Sequence, residues 1–150
     1  MNNNFAPILI FTYLRLRKLK NLINNLKKNE YSKNSDIYLF SDNAKYKKDI
    51  KKIKKVRNYI NTISGFRKKT IIFRNKNFGN GRNIIEGVTQ VLKKNKKIII
   101  LEDDLVIGEN FLYFMNTCLT KYKNYKKIWH IGGWGFDLNR NSSYDIFFSK

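Results

Sequence analysis

One cysteine, one histidine and one proline are all that 150 residues hold of those types. Cys118 alone can close no intramolecular disulfide and can build no cysteine-rich zinc site. It lies in the apolar run Phe111–Leu119, where it reads as a helical core residue rather than a nucleophile. His130 alone argues against histidine-based zinc chemistry, and no Ser/His or Cys/His pair supports covalent hydrolysis. Carboxylates are scarce as well, 11 Asp and Glu against 31 Lys and Arg. No stretch approaches the roughly 20 apolar residues needed to cross a bilayer. The opening Met1-Asn2-Asn3-Asn4 lacks the basic region of a signal peptide, so the chain reads as cytoplasmic and reducing.

What the chain does have is positive charge, a net +20. Such an excess favours polyanionic surroundings: nucleic acid, an anionic membrane face or nucleotide-linked substrates. A second reading is compositional, with lysine filling solvated faces in a chain equally rich in Asn and Ile. Tyr122, Tyr125 and Trp129 among lysines would suit a basic module for nucleic acid or an anionic membrane surface. No nucleic-acid motif accompanies them, which disfavours nucleic acid as the partner. The hydrophobic content of 42% and aromatic content of 15% are those of a globular protein. The length suits one domain, residues 1–150, with a real core.

The chain is organised around Lys97-Ile98-Ile99-Ile100-Leu101-Glu102-Asp103-Asp104. The aliphatic run is too short for a helix and suits a central strand buried on both faces. Three adjacent carboxylates repel one another unless a cation or a set of donors faces them. In open α/β sheets ligands bind beyond the carboxyl ends of the strands, where this acidic tip would lie. A divalent-metal and phosphate site is one reading; a solvated acidic turn is the other.

Around it, apolar runs alternate in period. Ile8–Phe11, Asp36–Phe40 and Thr70–Phe73 read as strands. Leu19, Leu22, Ile23 and Leu26 recur at helical spacing, as do Ile50, Ile53, Val56 and Ile60, and then Ile84, Ile85, Val88, Val91 and Leu92. Ile128–Ile131 reads as a further strand. This alternation predicts an α/β protein with a mainly parallel sheet and right-handed crossovers. The strand ends then form one set along an edge: Thr12 with Arg15, Ser41 with Asp42, the Asn77-Phe78-Gly79 loop with Arg82, and Glu102-Asp103-Asp104. An acidic strand tip can accept from a base N–H, arginines can neutralise phosphate oxygens, and the acidic cluster can hold Mg²⁺ or Mn²⁺. Polar loops are common, so each tip is weak evidence alone; together they favour the metal–diphosphate reading. No Gly-x-x-x-x-Gly-Lys-Ser/Thr is present, and Ile84 stands where a dinucleotide fingerprint would place its third glycine.

The succession Ile8-Leu9-Ile10-Phe11-Thr12-Tyr13-Leu14-Arg15, Tyr38-Leu39-Phe40-Ser41-Asp42, Asn77-Phe78-Gly79-Asn80-Gly81 and Ile100-Leu101-Glu102-Asp103-Asp104 resembles the GT-A-fold glycosyltransferases. Among them it is most similar to bacterial family-two-like sugar transferases and to N-acetylglucosaminyltransferases carrying a Glu-Asp-Asp form of the Asp-x-Asp motif. The resemblance spans about residues 6 to 148. It implies a three-layer αβα, Rossmann-like fold that binds a nucleotide-diphospho-sugar, with a UDP-sugar expected, and transfers the sugar to a glycan or lipid-linked acceptor of the bacterial cell surface. It implies that Thr12 and Arg15 line the nucleotide pocket, with Ser41 beside them, and that Asp42 hydrogen-bonds the base. Asn77, Gly79 and Arg82 would border the sugar-diphosphate. Asp104 would ligate Mn²⁺ or Mg²⁺ directly, with Glu102 and Asp103 contacting ribose and donor sugar or reaching the metal through water. The family's acceptor segment and catalytic base normally follow the Phe147-Phe148-Ser149 region, so the chain reads as a donor-binding part, a truncated or split product with weak or absent activity alone. Asp137 and Asp145 are available carboxylates, but nothing places either as the base. A peripheral place at the inner face of an anionic membrane is compatible with this reading.

Overall fold

The computed structural model describes residues 5–133. Four strands form one sheet: β1 (Ile8–Thr12), β2 (Asp36–Ser41), β3 (Lys68–Phe73) and β4 (Ile99–Glu102). All three pairings are parallel, in the order β3-β2-β1-β4. Four helices connect or follow them: α1 (Leu16–Lys28), α2 (Ile50–Thr62), α3 (Asn80–Leu92) and α4 (Phe111–Lys121).

The alternation of side chains along β1 decides the layers. Ile8 and Ile10 point to one face, where they meet Leu19, Leu22, Ile23 and Leu26 of α1, Val56 and Ile60 of α2, and Leu112 and Met115 of α4. Leu9 and Phe11 point to the other, where Phe40 joins them under Val91, Val88 and Ile84 of α3. The result is the expected three-layer α/β arrangement. Gly87 lets α3 settle onto the sheet, since a Cβ there would lie 2.6 Å from the ring of Phe11. Two buried asparagines tie α4 to its neighbours. Asn29, just past α1, accepts from Leu112 N in the first turn of α4 at 2.9 Å. Asn116 accepts from Ala6 N, just ahead of β1, at 2.9 Å.

Chain direction fixes the position of the acidic strand. The α1 and α2 crossovers step the chain away from β1 on one face; α3 then carries it back over the opposite face to the far side of β1. Both moves keep the crossovers right-handed. The central strand is therefore β1, buried at all five positions. Among the described residues β4 is an edge strand, and Ile100 is 44% exposed. Within the described residues this departs from the expectation of a central acidic strand buried on both faces: α3 packs over β1 and β2, and no described element covers the same face of β4. Ile128–Ile131 is not a strand either. Only Ile131 packs against the core, while Trp129 is 93% exposed, so no alternation is satisfied and no ladder partner is present among the described residues. Asp137, Asp145 and Phe147–Ser149 lie outside the described residues.

Candidate functional site

Strand order places a switch point between β1 and β4, where successive crossovers diverge to opposite sides, and such a point opens a crevice at the carboxyl ends of the strands. The tips meet there in register: Thr12 lies beside Ser41, Ser41 beside Phe73, and Phe11 beside Glu102. The ladder then runs one step further. Asp42 N donates to Thr12 O at 3.1 Å and Asp103 N to Phe11 O at 3.2 Å. Two buried aspartates thus flank the end of β1, one on each side.

Asp103 is buried. Its Oδ2 accepts from Thr12 Oγ1 at 2.8 Å and from Tyr13 N at 3.1 Å. Its Oδ1 accepts from Arg15 at 2.7 Å. The same guanidinium donates through Nη1 to Asp104 Oδ2 at 2.6 Å. Arg15 is about half exposed and Asp104 about a third, so one cation bridges an inner and an outer carboxylate. This answers the repulsion of the acidic run. The inner charge is compensated by built-in donors, and the outer one faces solvent with its second oxygen uncommitted. Glu102 is half-buried, and its side chain has no hydrogen-bond or ion-pair partner among the described residues.

Asp42, on the other flank, is filled. Its Oδ1 accepts from Asn43 N at 2.8 Å and Phe78 N at 2.9 Å; its Oδ2 accepts from Gly79 N at 2.9 Å and Asn77 Nδ2 at 3.2 Å. Four acceptances use the whole capacity of a carboxylate. The loop before α3 is therefore folded onto Asp42. Gly79 has φ 75° and ψ 162°, a region open essentially to glycine alone. Phe78, presented by this loop, contacts two guanidinium groups, with Arg74 4.7 Å and Arg82 4.9 Å from its ring centroid.

The structure thus brings together Thr12, Arg15, Glu102, Asp103 and Asp104 at one tip, and Asp42, Asn77 and Gly79 at the next. It does not bring Ser41 to the surface: its side chain is buried, with Oγ accepting from Arg57 Nε at 3.4 Å. Arg82 is exposed on the first turn of α3 and is paired with Glu86 at 2.6 Å.

Several residues at the site have no counterpart in the sequence reading. Tyr13 gives its N–H to Asp103, while its hydroxyl accepts from Lys45 N at 2.9 Å. Arg57 spans the ends of β2 and β3, donating to Arg74 O at 2.7 Å, and burial pushes its guanidinium below its ordinary pKa against the raising influence of Asp42. Its spacing of four from Ile53 placed it next to the apolar stripe of α2, a signal that could have marked it as inward-facing. Arg74 donates to Asn83 Oδ1 at 2.9 Å and leaves Nη2 buried without a partner among the described residues. Cys118, outside this site, is the buried helical residue that the run Phe111–Leu119 predicts, and burial pushes its thiol pKa up.

Among the described residues no three His, Cys, Asp or Glu side chains converge as a ready-made metal cage. That is compatible with Mg²⁺ or Mn²⁺, hard cations suited to oxygen ligands. Mg²⁺ in particular usually keeps several waters and takes one or two carboxylates plus substrate phosphates. The uncommitted oxygen of Asp104 and the free carboxylate of Glu102 fit that habit.

Fold and tips together define an α/β domain with a polar, arginine-bridged carboxylate site at its switch point. Comparison with known proteins adds a match over part of the chain. The model of "Glycosyltransferase family 25 (LPS biosynthesis protein)" matches residues 89–147, from late α3 through the acidic tip and α4. Two solved structures share the fold. The crystal structure of S. aureus TarS matches with a TM-score of 0.56 and 15% identity, covering 79% of this chain and 20% of that one. That of S. aureus TarS 1-349 matches with a TM-score of 0.54 and 16% identity, covering 79% and 33%. The chain thus spans a third or less of the length of these solved structures. No curated protein matches.

Proposed function

We propose that this chain is the donor-binding part of a glycosyltransferase. It would take a nucleotide-diphospho-sugar, with a UDP-sugar expected, together with Mn²⁺ or Mg²⁺, and pass the sugar to a glycan or lipid-linked acceptor. The family match and the α/β fold support the glycosyltransferase role. The description of the matched family, as an LPS biosynthesis protein, supports a cell-surface glycan as the product's destination.

One observation carries the finer reading: Arg15 bridges buried Asp103 and solvent-facing Asp104 at the switch point. Asp103 anchors the tip, because its acceptors are spent on Thr12, Tyr13 and Arg15. Asp104 and Glu102 are left to face a cation. A bound divalent ion would act as a Lewis acid, offsetting charge on the departing nucleoside diphosphate. Arg15, half exposed, can turn from Asp104 to a phosphate oxygen, a partner of the same charge-assisted kind. Asp42 holds the Asn77–Gly79 loop at the end of β2. A base N–H would reach it by displacing the Asn77 amide, the longest of its four contacts at 3.2 Å.

Calorimetric titration with UDP tests this. Nucleotide binding is expected in the presence of Mn²⁺, to be lost without the metal, and to be lost in Asp104→Ala. No metal-dependent binding by the wild-type chain would overturn the proposal.

A further inference from the structure

Asp49 is the one acidic residue between Asp42 and Glu86, in a stretch that holds seven lysines between positions 45 and 55. Asp49 is buried, with Tyr13 Oη 3.5 Å from its carboxylate. Lys45, Lys47, Lys48 and Lys51 around it are all exposed. This surface opens α2, on the same edge of the sheet as the strand tips, because in a parallel sheet each following helix starts where its strand ends. Lys45 is tied to that edge by its backbone bond to Tyr13 Oη at 2.9 Å.

Lysine on a helix face needs no partner, since solvation explains it. Two neighbours are not explained that way. Tyr46 is 54% exposed, and the Lys45 and Lys48 ammonium groups lie 5.4 and 5.5 Å from its ring centroid. Ile50 is 56% exposed, although it stands one turn ahead of buried Ile53 in the apolar stripe of α2. The outcome is a rim of positive charge with an aromatic and an aliphatic side chain standing in it and no exposed carboxylate within residues 45–51 to counter it.

We propose that the rim formed by residues 45–51 docks onto an anionic phospholipid bilayer. The lysines would meet the negative surface potential, and Tyr46 and Ile50 would enter the headgroup boundary, where amphipathic and aliphatic side chains are stable together. Nucleic acid would attract the lysines and could stack on Tyr46, but an aliphatic Ile50 gives a base no face to stack on. The proposal stands without the donor-binding reading. If both hold, the rim keeps the strand-tip site at the bilayer surface, where a lipid-linked acceptor would be presented.

Co-sedimentation of the full chain with vesicles tests it. Retention is expected on phosphatidylcholine vesicles containing phosphatidylglycerol, but not on phosphatidylcholine alone, and salt should weaken it. Each lysine removed should lower partitioning about fivefold, so Lys47→Gln/Lys48→Gln/Lys51→Gln should fall about a hundredfold. Ile50→Ser should lower partitioning about fivefold, a partial burial of its side chain, and leave the salt dependence unchanged. The same number of glutamines at Lys27, Lys28 and Lys33, exposed near the opposite edge of the sheet, should cost much less. All seven residues are exposed, so the variants should keep the wild-type circular dichroism. Equal loss from both lysine triplets would overturn the proposal in favour of undirected net charge. Retention on duplex DNA but not on vesicles, insensitive to Ile50→Ser, would overturn it in favour of nucleic acid.

Discussion

Arg15 is the residue on which the site's electrostatics turn. It gives Asp103 a partner inside the fold and occupies one oxygen of Asp104 outside it. Breaking a fully buried ion pair costs about 3–5 kcal/mol when a charge is stranded. Here the guanidinium is half exposed, and Thr12 Oγ1 and Tyr13 N remain on Asp103. Arg15→Met should therefore cost less, about 2 kcal/mol after allowing for solvent screening, measured by urea unfolding. Asp104→Asn, which touches only the outer contact, should change stability by under about 0.5 kcal/mol. Equal losses in the two variants would mean that Asp103 is not the anchor. At this scale the sequence was only partly legible. The types at 12, 15, 42 and 102–104 marked a polar edge, but which carboxylate is spent and which is free depends on backbone N–H groups of Tyr13, Asn43, Phe78 and Gly79. Those donors exist at every residue and leave no mark in the sequence.

Among the elements, α3 makes the tightest demand on a single residue, Gly87. It covers the second face of the sheet with Ile84, Val88 and Val91, and its closest approach is at Gly87. A Cβ at Gly87 would sit 2.6 and 2.8 Å from the Phe11 ring and 3.0 Å from that of Phe40. Those rings are stacked at 4.8 Å, so neither can give way alone. Gly87→Ala should lose about 1–3 kcal/mol by overpacking, against the small gain that alanine normally brings in a helix. A thermal melt with the variant equal to or above wild type would refute the tight approach. The four strands and four helices were plain in advance because Leu19, Leu22, Ile23 and Leu26, or Ile8 to Phe11, carry period and length together, whereas the short run Ile128–Ile131 misled. The edge position of β4 was not plain, because crossover direction is set by which face α3 covers. Gly87 was silent for the same reason, since closeness to a ring three strands of sequence away has no local signature.

For the whole molecule, a formal charge of +20 on 150 residues means that folding concentrates like charge. Only four ion pairs are formed among the described residues, two of them by Arg15. Self-repulsion of this kind destabilises the compact state and is screened over about 10 Å at 0.1 M salt. The melting temperature should therefore rise by several degrees as sodium chloride is raised from about 0.01 to 0.15 M. A melting temperature that falls with salt would show that attractive pairs outweigh the lysine field.

The placement of β4 at the edge gives its charges a second consequence. Ile98 to Leu101 is an aliphatic run of high strand propensity, one side of whose ladder has no partner among the described residues. Such an edge is a template for pairing with another chain. Lys96 and Lys97 precede it and Glu102, Asp103 and Asp104 follow it, the arrangement by which proteins guard an adhesive segment with gatekeeper charges. Along the described edge the acidic tip would thus act against self-association, so a substitution made to probe chemistry at Asp104 should be checked for added aggregation.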